Sequence, residues 1–350
     1  MTSAMLDSTG FVDAVEALPE QVAAAVATAA DADLTPVANV THRSIIVLGM
    51  GGSGIAGDML TAVAGSACPL PIGVSKNYSV PGYVDESTLV IASSYSGDTE
   101  ETVSAAAEAV DRGAKLVAVT TGGALGVLAE ASGGVVVPCP EGLFPRAAVG
   151  ALSVPAFLVL EKLGYCDGAS DWIRAAQAQL SKRRDALARS ADPKKNEARL
   201  LARRIGRTFP LVYGGDQLGA VAALRWKADI NENAKAPAFW NTFPELDHNE
   251  IMGWGQHGDV TRQVISLVEL RHDFEHPRTA RRIVLTREII RETVGQVLPV
   301  AAAGDGPLAQ LLDLMYVGDW VSVYMAADAQ VDPGPIDAIA RLKHQLAKES

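Results

Sequence analysis

The sequence predicts an α/β protein with two doubly wound domains, each built on a mostly parallel sheet flanked by helices. Three observations predict this fold class. Short apolar runs of strand length alternate with helical stretches along the chain, a pattern typical of βαβ crossovers. A glycine-rich turn follows the first clear strand in each half. The 350 residues also provide the length for two domains of about 150 residues each.

The first half begins with a helical stretch at residues 6–32, and a regular alternation of strands and helices follows. Residues 44–48 read Ser-Ile-Ile-Val-Leu, a short apolar run that predicts a buried strand. Strands are predicted at residues 44–48, 71–75, 88–93, 115–120 and 134–138. Helices are predicted at residues 55–63, 99–112, 125–131 and 149–163.

A long polar helix at residues 171–189 and a charged, proline-bearing stretch at residues 190–197 separate the two halves. The second half uses the same architecture without clear sequence repetition. Its strands are predicted at residues 209–213, 264–270 and 297–302, and its helices at residues 218–232, 278–295, 307–326 and 336–346. The sequence therefore predicts a helical lead-in at residues 1–40 and domains at residues 41–190 and 191–350.

Composition and charge narrow the class of protein. Hydrophobic residues make up 48% of the chain and charged residues 20%, as is typical of soluble α/β domains. The net charge of −11 argues against nucleic acid or an anionic membrane as a partner, because both require a basic surface. The three cysteines (Cys68, Cys139 and Cys166) lack metal-ligand spacing, so we expect neither a metal nor a disulfide framework. No leader or spanning segment is evident, and we expect a cytoplasmic protein.

The first candidate binding loop is the turn Gly-Met-Gly-Gly-Ser-Gly at residues 49–54, between a predicted strand and a predicted helix. It matches the G-x-G-x-x-G pattern of dinucleotide sites. Such a site also needs an acidic residue at the end of the next strand, where this chain has Lys76. A P-loop is excluded because the Gly-Lys-Ser/Thr sequence is missing. A tight turn without a ligand remains the alternative.

The second candidate loop, at residues 93–102, ends a predicted strand and begins a predicted helix. Three of its hydroxyl residues, Ser94, Ser96 and Thr99, surround a glycine at the helix N-terminus. Backbone N–H groups and the helix dipole favour a phosphate at such a position without any basic side chain. The alternative is a helix N-cap, but a cap needs only one hydroxyl. The loop therefore predicts a phosphate site.

A third segment gathers polar residues inside an otherwise apolar domain. Asn-Glu-Asn-Ala-Lys occupies residues 231–235, and Pro-Glu-Leu-Asp-His-Asn-Glu occupies residues 244–250. Surface residues do not usually group Glu, His, Asn and Lys so closely. A capped helix end followed by a polar loop is the alternative interpretation.

Together these motifs carry a resemblance to known proteins. The turn at residues 51–53 and the loop at residues 94–102 resemble those of the sugar isomerase (SIS) superfamily, although most members have Asn where this chain has Asp98. Adding the segments at residues 145–148, 232–235, 245–250 and 336–343, the chain resembles the bifunctional phosphoglucose/phosphomannose isomerase family from about residue 40 onwards. The resemblance implies two SIS-type subdomains, a homodimer, and activity without a metal or cofactor.

The resemblance also implies a role for each candidate residue in converting glucose 6-phosphate, and mannose 6-phosphate, to fructose 6-phosphate through ring opening and a cis-enediolate. Glu232 is the base that moves the proton between C2 and C1. His248, donated by the neighbouring subunit, and Lys343 assist ring opening, and Arg146 stabilises the enediolate. The phosphate is bound by Gly52, Ser53, Ser94, Ser96 and Thr99.

Alternatives remain for these residues and for the function. Lys343 could be a solvated surface residue, and Arg146 could fix a loop by donating hydrogen bonds to carbonyls. The chain could also be a non-catalytic SIS protein that binds a sugar phosphate and regulates, or another SIS enzyme. The resemblance implies that activity on both sugars depends on a polar side chain just before the C-terminal helix. Residues 332–336 contain no hydroxyl or amide side chain, so the resemblance favours glucose 6-phosphate over mannose 6-phosphate as the substrate.

Overall fold

The first half of the chain forms a five-stranded, fully parallel sheet in this computed structural model, which describes residues 5–348. The strands are β1 (Ser44–Leu48), β2 (Ile72–Ser75), β3 (Thr88–Ser93), β4 (Lys115–Thr120) and β5 (Val135–Pro138). Their order is β2-β1-β3-β4-β5. The chain therefore winds to one side of β1 first and then to the other, which opens a crevice between β1 and β3 at their carboxyl ends.

Helices cover both faces of this sheet. They are α1 (Phe11–Glu16), α2 (Leu18–Ala30), α3 (Thr35–Ala38), α4 (Gly51–Ala64), α5 (Glu100–Asp111), α6 (Gly123–Ala131), α7 (Val149–Lys162) and α8 (Ala169–Leu187). The predicted helices are confirmed with small shifts at their ends. The largest concerns α4, which begins at Gly51 because the glycine turn itself forms the first helical turn.

The second half forms a four-stranded parallel sheet in the order β7-β6-β8-β9. Its strands are β6 (Phe209–Gly215), β7 (Phe239–Phe243), β8 (Ile265–Arg271) and β9 (Gln296–Ala301). The helices are α9 (Glu197–Ile205), α10 (Asp216–Asn233), α11 (Gly258–Val264), α12 (Pro277–Ile290), α13 (Pro307–Ala329) and α14 (Asp337–Leu346).

Besides the short helix α11, which was not predicted, three features of the second half differ from the sequence prediction. The edge strand β7 lies between the polar motifs at residues 231–235 and 244–250, where no strand was predicted, and the unpredicted helix α9 begins at the end of the predicted boundary stretch. Asn196 begins α9 as its N-cap, accepting a hydrogen bond from the backbone N–H of Arg199 (3.0 Å). The third difference is α12, which ends at Ile290, whose carbonyl accepts hydrogen bonds from Thr293 and Val294 in a turn.

A shared apolar core joins the two halves. Val12 from the lead-in, Leu60 from α4, Trp226 from α10 and Trp320 from α13 are all fully buried in one cluster. The indole of Trp226 donates a hydrogen bond to the carbonyl of Leu314 (2.7 Å). The helices α4 and α10, which carry the candidate site, therefore pack across a common core. None of the helices between residues 5 and 348 has the length and apolar character needed to cross a membrane.

Candidate active site

The glycine turn after β1 packs against the segment that carries Arg146. A β-carbon on residue 52 would lie 2.8 Å from the carbonyl oxygen of Pro145 and 3.0 Å from the α-carbon of Arg146. Only glycine allows this close approach. No side chain caps the N-terminus of α4, which begins at Gly51 with a φ of 51°. The turn thus leaves helix N–H groups for an anion.

The hydroxyl loop after β3 is ordered by its own side chains. The buried Ser94 Oγ accepts a hydrogen bond from the N–H of Gly97 (3.1 Å) and pairs with Thr99 Oγ1 (2.9 Å). Ser96 is exposed, and its Oγ accepts a hydrogen bond from the N–H of Asp98 (3.3 Å). Thr99 stands at the N-cap of α5 but makes no side-chain capping bond. The N-cap alternative therefore does not account for this loop.

The two loops lie side by side because β1 and β3 are parallel neighbours, with Leu48 paired to Ala92. Ser53 Oγ accepts a weak hydrogen bond from the N–H of Tyr95 across the crevice (3.4 Å). Asp98 faces elsewhere, since its Oδ1 accepts a hydrogen bond from the N–H of Ala124 at the start of α6 (2.9 Å). The structure thus brings the two predicted phosphate loops together, with two uncapped helix N-termini at one crevice.

Glu232 lies in the last turn of α10, half-buried at the wall of a cavity of about 580 Å³. No hydrogen bond from residues 5–348 holds its carboxylate, which leaves it available to a ligand. Lys235 Nζ donates hydrogen bonds to the backbone carbonyls of Glu232 and Pro333. Burial and the nearby Arg146 charge lower the pKa of Lys235. The cavity is lined by Asn231, Glu232, Lys235, Asp332, Pro335, Ile336, Asp337, Ala338 and Ile339.

Arg146 connects this cavity to the glycine turn. Its Nε donates to Asn233 Oδ1 (2.9 Å), and its Nη2 donates to the carbonyls of Pro333 and Gly334 (2.6 Å each). Burial lowers the pKa of Arg146, and the negative charge of Glu232 acts in the opposite direction. The side chain is only 4% exposed. Arg146 therefore does fix a loop, as the alternative interpretation expected. Its guanidinium also lies close enough to Glu232 for the two charges to attract each other.

His248 ends a 3₁₀ helix, Glu245–His248, that follows the edge strand β7. The turn is anchored from both sides: Leu246 is fully buried, and Asp247 accepts hydrogen bonds from Thr286 Oγ1 (2.6 Å) and Arg282 Nη1 (3.2 Å). His248 itself is exposed and does not line the Glu232 cavity. His248 is therefore a solvent-accessible side chain on an anchored turn, outside the lining of the cavity that Glu232 borders.

Lys343 lies on α14, which has no buried residue. The first turn of α14 lines the Glu232 cavity, but Lys343 does not. Within one chain the structure therefore brings Glu232 and Arg146 together and leaves His248 and Lys343 apart from them. In residues 5–348 no cluster of three or more His, Cys, Asp and Glu side chains could hold a metal ion.

Sequence reasoning assigned no role to the groups that support Arg146. Asn233 is buried, accepts from Arg146 and donates to Ser322 Oγ (2.9 Å). Arg225 donates to the backbone carbonyl of Arg146 and lies 2.7 Å from Asp229 Oδ2. The four-residue spacing of Arg225 and Asp229 on one helix could have indicated this ion pair from the sequence.

Two parallel doubly wound sheets, with a glycine turn facing a hydroxyl loop at the crevice of the first, define an SIS-type phosphosugar protein. The family model of the SIS domain matches residues 40–131, and that of the bacterial phospho-glucose isomerase C-terminal SIS domain matches residues 194–346. The bifunctional phosphoglucose/phosphomannose isomerase of Caldicellulosiruptor bescii is 38% identical, covering 96% of this chain and 98% of the relative. The Aquifex aeolicus relative of the same name is 34% identical, covering 91% and 93%. The chain belongs to the bifunctional phosphoglucose/phosphomannose isomerase family, as the resemblance predicted.

Solved structures support the fold. The tagatose-6-phosphate ketose/aldose isomerase from Escherichia coli superimposes with a TM-score of 0.66 at 14% identity, covering 93% of this chain and 95% of that one. The C-terminal domain of glucosamine-fructose-6-phosphate aminotransferase from Francisella tularensis gives a TM-score of 0.70 at 11% identity, covering 93% and 97%. The predicted α/β fold with two SIS-type sheets is confirmed.

Proposed function

We propose that this protein interconverts glucose 6-phosphate and mannose 6-phosphate with fructose 6-phosphate. The observation that carries the proposal is the position of Arg146. Its backbone contacts the glycine turn at Gly52, and its guanidinium is bonded to Asn233, the neighbour of Glu232. The proposed phosphate site and the proposed base therefore both lie next to Arg146. The relatives carry both activities in their names, so we include mannose 6-phosphate, which residues 332–336 alone did not favour.

The proposed mechanism uses the phosphate as a remote anchor that orients the reacting carbons. Gly52, Ser53, Ser94, Ser96 and Thr99 bind the phosphate. After ring opening, the Glu232 carboxylate removes the proton from C2, and the C1 carbonyl oxygen becomes an enediolate oxygen. The hydroxyl proton of O2 then passes to O1, the C2 carbonyl forms, and Glu232 returns its proton to C1. One carboxylate can perform both transfers, and no cofactor is consumed.

Arg146 supplies positive charge where the enediolate oxygens become negative. Its Nη1 makes no hydrogen bond with any residue between positions 5 and 348, and we assign this nitrogen to the substrate. Its other two nitrogens are held by Asn233 and by the carbonyls of residues 333–334, so the charge is positioned before substrate arrives. A preorganised charge requires no rearrangement during the reaction.

Ring opening is assigned to His248 and Lys343, with His248 contributed by a second subunit of a homodimer. Histidine suits this acid/base role because its ordinary pKa is close to neutral. The exposure of His248 on its anchored turn supports this assignment. A non-catalytic regulator is not favoured, because the relatives are named as isomerases and Glu232 borders an open cavity. A cytoplasmic location remains a prediction of the sequence.

The test of the function is fructose 6-phosphate formation from each sugar phosphate, assayed separately in the presence of EDTA. We expect turnover of both sugars, because the proposed chemistry uses only side chains. Turnover of glucose 6-phosphate alone would restrict the substrate range. Protection of the protein against heat by both sugars without any turnover would show a binding protein instead of an enzyme.

Mixing two inactive variants tests whether His248 acts in the partner subunit. Glu232→Gln and His248→Ala should each lack activity alone. In a mixed dimer one site would combine the intact Glu232 of one subunit with the intact His248 of the other. After random subunit exchange, about a quarter of the wild-type activity should therefore return.

Subunit exchange is verified by giving the two variants different affinity tags and purifying the doubly tagged species. A doubly tagged dimer without activity would contradict the assignment, because it would mean that His248 acts in the active site of its own subunit. Lys343→Ala mixed with Glu232→Gln, treated in the same way, tells which subunit contributes Lys343.

A further inference from the structure

The segment Asp7–Phe11, which we call the N-terminal clasp, packs on the active-site wall. The carboxylate of Asp7 accepts hydrogen bonds from the N–H groups of Phe11 (2.8 Å) and Val12 (3.0 Å). These bonds hold the clasp in one conformation at the start of α1. Neither family model covers it, because the SIS match begins at residue 40.

The clasp fixes the segment at residues 332–334. The N–H of Ser8 donates to Asp332 Oδ2 (3.0 Å), and the other oxygen of Asp332 accepts from the N–H of Gly334 (2.9 Å). Partial burial opposes ionisation of Asp332, but these hydrogen bonds outweigh it and lower its pKa. Thr9 packs so closely on Gly334 that a β-carbon there would collide with Thr9 Oγ1. The segment is therefore covered by Ser8 and Thr9.

The clasp also contacts Arg146 directly. The Phe11 ring lies 4.1 Å from the guanidinium carbon and is 1% exposed. A guanidinium over an aromatic face gains a cation–π attraction, which grows when water is excluded. Arg146 in turn donates to the carbonyls of Pro333 and Gly334. The clasp, Arg146 and residues 332–334 thus form a closed set of contacts.

We propose that the clasp positions the catalytic groups, with Phe11 setting the Arg146 guanidinium and Thr9 setting the wall at residues 332–336. This inference rests on the proposed isomerase function. Asp332, Pro335 and Ile336 line the same cavity as Glu232, where C2 of the substrate must lie. Glucose and mannose differ only at C2. A shift of this wall therefore changes the turnover of the two epimers unequally.

The first test substitutes Phe11→Leu, which keeps apolar volume but removes the aromatic face. We expect kcat to fall about tenfold while KM changes little, because a small displacement of a charge costs transition-state stabilisation. The matched control is Phe157→Leu, the same change at a fully buried position in α7. The control should lose comparable stability in urea and keep kcat.

The second test uses the exposed Thr9, whose replacement leaves the core intact. Thr9→Ala should change the ratio of kcat/KM for mannose 6-phosphate to that for glucose 6-phosphate about threefold or more. Thr9→Val keeps the packing against Gly334 and should retain the wild-type ratio. A general loss of stability would lower both activities together and leave the ratio unchanged.

The outcomes separate this inference from the function on which it rests. If the wild type is active but kcat falls equally in Phe11→Leu and Phe157→Leu, the positioning role alone is overturned. The same holds if Thr9→Ala leaves the ratio of kcat/KM for the two epimers unchanged. A wild type that converts neither sugar overturns the isomerase proposal, and the positioning role with it. Selective loss in Phe11→Leu together with a shifted ratio in Thr9→Ala supports the inference.

Discussion

Replacing Glu232 by glutamine is expected to lower kcat for both sugar phosphates by about 10²–10⁴-fold. Glutamine keeps the size and shape of the side chain, but its neutral amide cannot accept the proton from C2. Binding of the substrate should change little, since the phosphate is bound at the glycine turn and the hydroxyl loop. The measurement is fructose 6-phosphate formation, with exchange of the C2 hydrogen against deuterated solvent as a second readout.

The control is Asp337→Asn, a second carboxylate at the same cavity. Asp337 is exposed in the first turn of α14, while Glu232 is half-buried and close to the Arg146 charge. Replacing Asp337 should leave kcat within about threefold of the wild type, as expected of an exposed surface charge. A loss in Asp337→Asn equal to that in Glu232→Gln would mean that the base has been misassigned. Residual hydrogen exchange in Glu232→Gln at the wild-type rate would have the same meaning.

The sequence predicted the strands best where both faces of a strand are buried. β1, β3 and β4 were predicted with their observed ends, because each contains an uninterrupted apolar run of four residues. The edge strands β2, β5 and β9 were predicted, whereas β7 was missed because its first residues are exposed. Phe239 is 57% exposed and Trp240 is 37% exposed, so no buried run or clean alternation marks it. Its aromatic and β-branched residues were the only available signal.

The helix α9 was missed for a different reason. Its buried residues Ala198, Leu201, Ala202 and Ile205 follow a helical period. The predicted boundary ended at residue 197, and the arginine-rich residues that follow it were assigned no element. The periodicity of the apolar positions was nevertheless readable from the sequence. In this case the pattern of apolar positions carried more information than the average polarity.

The predictability of the candidate site depends on whether the contacts are between residues close together or far apart in the sequence. The phosphate loops could be predicted because their hydroxyl and glycine residues are close together in sequence. The link between Arg146 and Asn233 joins residues 87 positions apart, and the packing of Phe11 on Arg146 spans still more of the chain. No local pattern encodes such contacts. They follow from the packing of the lead-in and of α10 against the segment that carries Arg146.

Replacing Arg225 by methionine should produce the largest loss of stability, about 3–5 kcal/mol in the free energy of unfolding. Arg225 is 4% exposed, with its Nε 2.7 Å from Asp229 and its Nη2 3.2 Å from Asp319. Methionine would leave two buried carboxyl groups without their cation. Urea unfolding measures the loss. The matched control is Arg174→Met, since Arg174 and Asp171 form an ion pair whose side chains are 74% and 73% exposed. That change should cost less than about 0.5 kcal/mol.

The pH dependence of the loss identifies its cause. Burial raises the pKa of Asp229 well above its ordinary value of 3.8, while Arg225 opposes the rise. Without Arg225 the pKa must rise further, so the folded protein retains a proton that the unfolded chain releases. Stability that depends on this proton is present below pH 3.8 and is lost as the pH rises towards the folded pKa. The deficit of Arg225→Met should therefore grow from acidic to neutral pH. A deficit that does not change with pH would attribute the loss to packing instead of to the uncompensated carboxyl groups.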